Sequence, residues 1–122
     1  MATTVFARTN ADFLNQFFGT NYRQFMRSRW SYDENTWVWM VRMDGKSRDG
    51  WINREVSPYE VWEEYAGIGA PSYNNVKEMP FRIIVRIVEG SQGREYRVLG
   101  KYRYDFHNSD YRKHIFKKFE EM

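Results

Sequence analysis

The stretch that most limits what this chain can fold into is Phe81 to Tyr104, FRIIVRIVEGSQGREYRVLGKYRY. Phe81, Ile83, Val85 and Ile87 alternate along it, and residues two apart in a strand share a face. β-Branched side chains suit that pleated surface. Gly90 and Gly93 bracket Ser91-Gln92, a turn signal because glycine accepts positive φ. With Gly90 opposite Gly93, the pattern sets Ile87 against Tyr96, Val85 against Val98 and Phe81 against Tyr102, making one apolar face.

The same register sets Arg86 against Arg97 and Arg82 against Lys101 on the other face. Like charges directly opposite repel, and either solvent or an anionic partner must offset that. Phe81 to Met122 holds 10 of the 19 basic residues and 6 of the 16 acidic ones. We therefore expect Arg82, Arg86, Arg97, Lys101 and Arg103, helped by Lys113, Lys117 and Lys118, to bind an anionic partner. That partner would be nucleic acid or an acidic surface of a nucleic-acid-handling protein.

Ser28 to Met43 reads as a second hairpin turning at Asp33-Glu34-Asn35. Pairing Tyr32 with Trp37 and Trp30 with Trp39 gathers four rings on one face. Aromatic residues make up 19% of the chain, with five Trp and nine Tyr, more than a small core demands. The quartet Trp30, Tyr32, Trp37 and Trp39 is either packed core or a platform or pocket for a base or small nucleotide-like ligand.

The remaining segments predict about three helices and an edge strand. Thr3 to Ala7 reads as the edge strand. Asn10 as cap, with Phe13, Leu14, Phe17 and Phe18 at helical spacing, predicts a helix ending at Gly19. Trp51 and Ile52 begin a short strand reaching Arg54. Ser57-Pro58-Tyr59-Glu60 has the form of a capping box and predicts a helix to Tyr65 or Ala66, with Glu60, Glu63 and Glu64 in water. Ser109 or Asn108 caps a last basic helix carrying Tyr111, Ile115, Phe119 and Met122 on one stripe. Gly67 to Pro80 lacks periodicity and reads as a binding or lid loop, with Gly67, Gly69, Tyr73 and Asn74 its candidate contact residues. The expected fold is a single α+β domain over residues 1–122: a curved antiparallel sheet or small open barrel of four to six strands, packed with about three helices.

Chemistry narrows the function further. The chain has no cysteine and two histidines, so thiolate chemistry is excluded, and neither metal nor cofactor is expected. No nucleophile-elbow, zinc-protease or phosphate-loop motif is present. A metal-independent ribonuclease built on His107, an arginine and a glutamate is the third reading, behind a non-catalytic binding module and a base-binding pocket. No apolar run is long enough to span a bilayer and no signal-like segment opens the chain, so we expect a cytoplasmic protein without membrane association. Oligomeric state leaves no mark in the sequence.

Overall fold

The computed structural model describes residues 3–69, 71 and 79–122. Its strands and single helix run in the order β1 (Thr3–Phe6), α1 (Asn10–Phe18), β2 (Arg29–Ser31), β3 (Thr36–Arg42), β4 (Trp51–Ser57), β5 (Glu60–Tyr65), β6 (Phe81–Gly90), β7 (Gly93–Tyr104) and β8 (Lys113–Glu120). The strands form one eight-stranded mixed sheet in the order β2-β3-β6-β7-β8-β5-β4, with β1 paired to β7. Strands take up 53% of the described residues and helix 8%. The expected three-helix α+β packing is therefore wrong, and the sheet is not purely antiparallel, because β3 runs parallel to β6.

Two expected helices are strands. Ser57-Pro58-Tyr59-Glu60 does use its serine as anticipated, with Ser57 Oγ accepting from the Tyr59 N–H at 3.1 Å. That bond closes a hairpin turn, in which Ser57 pairs with Glu60. The same side-chain acceptor serves a helix start or a tight turn equally well, and the strand partners decide: β5 lies between β4 and β8. The basic C-terminal segment is β8, also paired on both sides. Its alternation was obscured because the polar residues His114 and Lys118 share a strand face with Phe116. The first helix stands, capped by Thr9 Oγ1 accepting from the Asp12 N–H at 3.1 Å and ended by Gly19 at φ 73°.

The strand β7 organises the sheet. It pairs along its length with β6, while β1 covers one part of its other edge and β8 a later part. The expected register holds from Gly90–Gly93 to Val85–Val98, and then one extra residue intervenes, because Ile84 pairs with Gly100. Beyond this bulge Arg82 faces Tyr102 and Phe81 faces Arg103, not Lys101 and Tyr102 as expected. A bulge bends a strand and raises its twist. Gly100 sits at φ 141°, and a Cβ there would lie 2.7 Å from the Glu120 carbonyl oxygen.

The sheet is strongly curled. The strands β6 and β4 are four steps apart, about 19 Å in a flat sheet at about 4.8 Å per step. Yet Arg86 on β6 reaches Glu55 on β4 at 3.0 Å. Side chains on this concave side form one core, with Trp39, Val41, Val61, Ile84, Leu99, Tyr102, Tyr104 and Phe116. The other side packs α1 through Phe13 and Leu14 against Val38, Met40, Ile83, Val85, Tyr96 and Val98. Burial of a side chain such as Phe13, fully covered, contributes about 1.5–3 kcal/mol. Among the described residues no helix is long and apolar enough to cross a membrane.

Replacing Gly100 with alanine should therefore cost about 1–3 kcal/mol, from a strained φ and the close carbonyl. Gly45→Ala, strained in φ but meeting no neighbour, should cost less. Urea unfolding measures both, and a Gly100→Ala midpoint equal to the parent's would show that the bulge does not need glycine.

Candidate functional site

The curl brings the inner residues of six strands, β3 to β8, together. Glu63 on β5 pairs across with His114 on β8, and the His114 Nδ1 lies 2.9 Å from Glu63 Oε1. Arg82 on β6 brings Nη1 to 4.0 Å from the same oxygen. Its guanidinium lies over Phe116 at 4.3 Å and Trp39 at 4.6 Å from the ring centres. Trp51 on β4 stacks on the His114 ring at 4.9 Å, and Tyr104 on β7 meets that ring edge-on at 5.7 Å.

This charge group is buried: Arg82 is 1% and His114 3% exposed. Among the described residues, the Arg82 guanidinium nitrogens have no hydrogen-bond partner, nor does the Oδ1 of Asn53. Desolvation of a charge costs several kcal/mol. The ring contacts offset part of that, at about 2 kcal/mol or more for a desolvated cation–π pair. Desolvation pulls the Arg82 pKa down to about 10 against the opposing charge of Glu63, so the guanidinium stays charged at neutral pH. Burial by itself would raise the Glu63 pKa. The His114 hydrogen bond and the charge of Arg82 outweigh it and hold the carboxyl below its usual 4.5.

Beside β4, along the end of β3 that β2 leaves uncovered, lies a cavity of about 530 Å³. Trp39, Trp51, Asn53 and Glu63 line one part of it, and Arg42 and Arg94 another. Its size falls within the range of small-ligand sites, roughly 300–1,000 Å³. A second hollow of about 550 Å³ adjoins Arg29 and Trp37, where the Arg29 guanidinium covers the Trp37 ring at 4.4 Å. Among the described residues, no three His, Asp or Glu side chains gather in a metal-holding group.

The expected ring quartet is split. Trp30 pairs with Val38, and Trp37 with Ser31, a one-residue slip from the expected register. Such a slip moves every side chain to the opposite face. Trp37 and Trp39 therefore look into the concave side with Arg82. Trp30 and Tyr32 pack on Phe18 beside α1.

The expected basic face is dispersed for a related reason, the bulge in β7. Arg82 is buried, Arg86 bonds Glu55, and Arg97 bonds Glu95 at 2.8 Å. Lys101 bonds Glu120 at 2.9 Å, Lys117 bonds Asp105 at 3.1 Å, and Lys118 lies 3.4 Å from Glu121. Lys113 caps the Trp62 ring at 3.6 Å, and Arg103 is exposed beside Phe81. Gly67 and Gly69 offer their carbonyls to the Arg112 guanidinium, while Tyr73 and Asn74 lie outside the described residues. His107 is exposed in a turn held by Asp105. The histidine that meets a carboxylate is His114.

Sequence reasoning put Glu63 in water, favoured His107 over His114, and passed over Trp51 and Asn53 as site residues. Trp51, Asn53 and Glu55 alternate, as do Val61 and Glu63, and that period of two was the available signal.

No family model matches the chain, and no curated protein matches it in sequence. A solved structure does match in fold, that of the 5-hydroxymethylcytosine-specific restriction enzyme AbaSI, with a TM-score of 0.67 at 18% identity. The match covers 98% of this chain and 39% of the AbaSI chain. The two share a fold. This chain spans well under half of AbaSI's length.

A carboxyl whose folded pKa lies below its unfolded value adds stability above that value and loses it as pH falls through the folded pKa. The loss tied to Glu63 should thus begin below about pH 4.5. Thermal melts from about pH 6 to about pH 3 should show the parent losing more stability than Glu63→Gln. Equal acid slopes would contradict an ionised Glu63 in the fold.

Proposed function

We propose that this chain binds nucleic acid and holds one base of it, of the cytosine class, in the cavity between β3 and β4. The observation that carries this reading is the pairing of aromatic walls with buried acceptors. Trp39 and Trp51 line the same cavity as the Glu63 carboxylate and Asn53, whose Oδ1 lacks a partner among the described residues. Rings accept any base by stacking, at about 1–3 kcal/mol per base. The acceptors then select.

An ionised carboxylate accepts hydrogen bonds and cannot donate. Cytosine presents its N4 amino group as donor, a group that glutamate and aspartate accept from. Asn53 Oδ1 would take a second donor, either the other amino hydrogen or the hydroxyl of a 5-hydroxymethyl group. Thymine and uracil present a carbonyl oxygen at the same edge, which two acceptors repel. AbaSI is 5-hydroxymethylcytosine-specific by its own description, and the shared curled sheet supports a cytosine-class ligand here. A base in a duplex cannot reach such a cavity without leaving the stack, so mismatched or single-stranded sites should bind best.

The test is fluorescence anisotropy with short labelled oligonucleotides that differ at one base: 5-hydroxymethylcytosine, cytosine or thymine. The parent should prefer either cytosine to thymine. Trp51→Ala should weaken binding about tenfold from lost stacking, and Glu63→Gln should erase the preference. Equal binding of all three bases by the parent, or an unchanged Trp51→Ala, would refute the reading.

A further inference from the structure

The cavity wraps around the end of β3 onto the helix side of the sheet, and its polar part there is basic. Arg42 on β3 and Arg94 on β7 line it, and both guanidiniums converge on one carboxylate oxygen. Arg42 Nη2 and Arg94 Nε each lie 2.8 Å from Glu89 Oε1. Two positive charges thus share one negative charge. Glu89 is exposed, its side chain at 55%, while the arginine side chains are about half as open, at 29% and 28%. Arg94 also donates to the Tyr96 hydroxyl at 3.4 Å, and that hydroxyl donates to Asn10 Oδ1 at 2.7 Å, which fixes the guanidinium at the cavity wall.

Each guanidinium spends one nitrogen on Glu89, out of a fork with five N–H donors. The remaining donors suit an oxyanion with several oxygens, and arginine forks pair with phosphate through two parallel bonds. The competing bond to an exposed carboxylate is weak, because solvent screens it. Arg48, which also lines the cavity, already spends both terminal nitrogens on Asp44, so it is not part of this set.

We propose that Arg42 and Arg94 form a phosphate subsite that grips the nucleic-acid backbone beside the captured base, with Glu89 as the internal anion that the phosphate displaces. The proposal rests on the base-holding reading above. It makes the ligand a nucleotide within a strand, not a free base, and it assigns the backbone contact to the β3–β7 side of the cavity.

The experiment compares a single-stranded oligonucleotide carrying the preferred base with the same strand bearing neutral methylphosphonate links on either side of that base. Neutralising those links should weaken the parent about tenfold, the scale of a lost charge-assisted pair. The Arg42→Gln, Arg94→Gln double variant should bind both strands equally and weakly. Glu63→Gln should keep its sensitivity to the links. Glu89→Gln, which removes the competing anion, should bind the native strand more tightly than the parent does, and this arm decides if the double variant does not fold. A parent indifferent to neutral links, with Trp51→Ala still impaired, would overturn the phosphate subsite and leave the base reading intact. Unchanged or weaker binding by Glu89→Gln would also overturn it. Absence of any binding by the parent would sink both.

Discussion

The inner face of this molecule depends on one extra residue in β7. Between Val98 and Gly100 the strand takes in Leu99 without a partner in β6, and side chains beyond it change sides. Val98 belongs with the helix-side core, while Tyr102, four residues on, belongs with the concave one. Without the bulge, alternation would have put both on the same face. The bend also lets a single strand carry β1 on one stretch and β8 on the next. The curl that follows brings β4 within side-chain reach of β6, and the cavity lies between β4 and the end of β3 that β2 leaves uncovered.

Inside that curl a small set of charges is held at a cost that hydrophobic packing would not incur. Replacing buried ion pairs by apolar residues is often neutral or stabilising. Arg82, Glu63 and His114 are therefore poorly explained as stability elements alone. Their combined effect is to hold a carboxylate ionised in a largely buried, ring-walled space, with His114 fixed on one of its oxygens and stacked on Trp51. A preorganised acceptor of this kind discriminates between donor and acceptor edges of a ligand, because a mismatched buried polar group loses its water without compensation.

Much of the sheet could be read directly. The β6–β7 hairpin, its turn and its register as far as Val98 follow from alternation and two glycines, and α1 follows from its spacing and stop. The bulge could not be read, because Leu99 and Gly100 continue a plausible alternation, and the φ of 141° and the Glu120 carbonyl that call for glycine there arise only from long-range pairing. The strands β5 and β8 were hidden by their polar inward residues and, for β5, by a turn that resembles a helix start. Their inward positions hold Glu63 and His114 where a core strand would hold aliphatic residues, which breaks the apolar alternation that marks a buried strand. The ring quartet failed through a one-residue slip in a short hairpin, where the Tyr32 N–H donates to the Thr36 carbonyl and not to that of Trp37. The site was thus least legible where the inward residues are chemically specialised.

The central claim is that a base enters the concave side between Trp39 and Trp51. The indole N–H resonances of the five tryptophans report on it directly. Trp39 and Trp51 line the cavity, whereas Trp62 lies on the outer side under Lys113 and Arg54. On titration with a single-stranded oligonucleotide containing 5-hydroxymethylcytosine, the Trp39 and Trp51 signals should move together and saturate, while Trp62 stays in place. Shifts confined to Trp62 or Trp30, with Trp39 and Trp51 unmoved at saturation, would place the nucleic acid elsewhere and contradict the account.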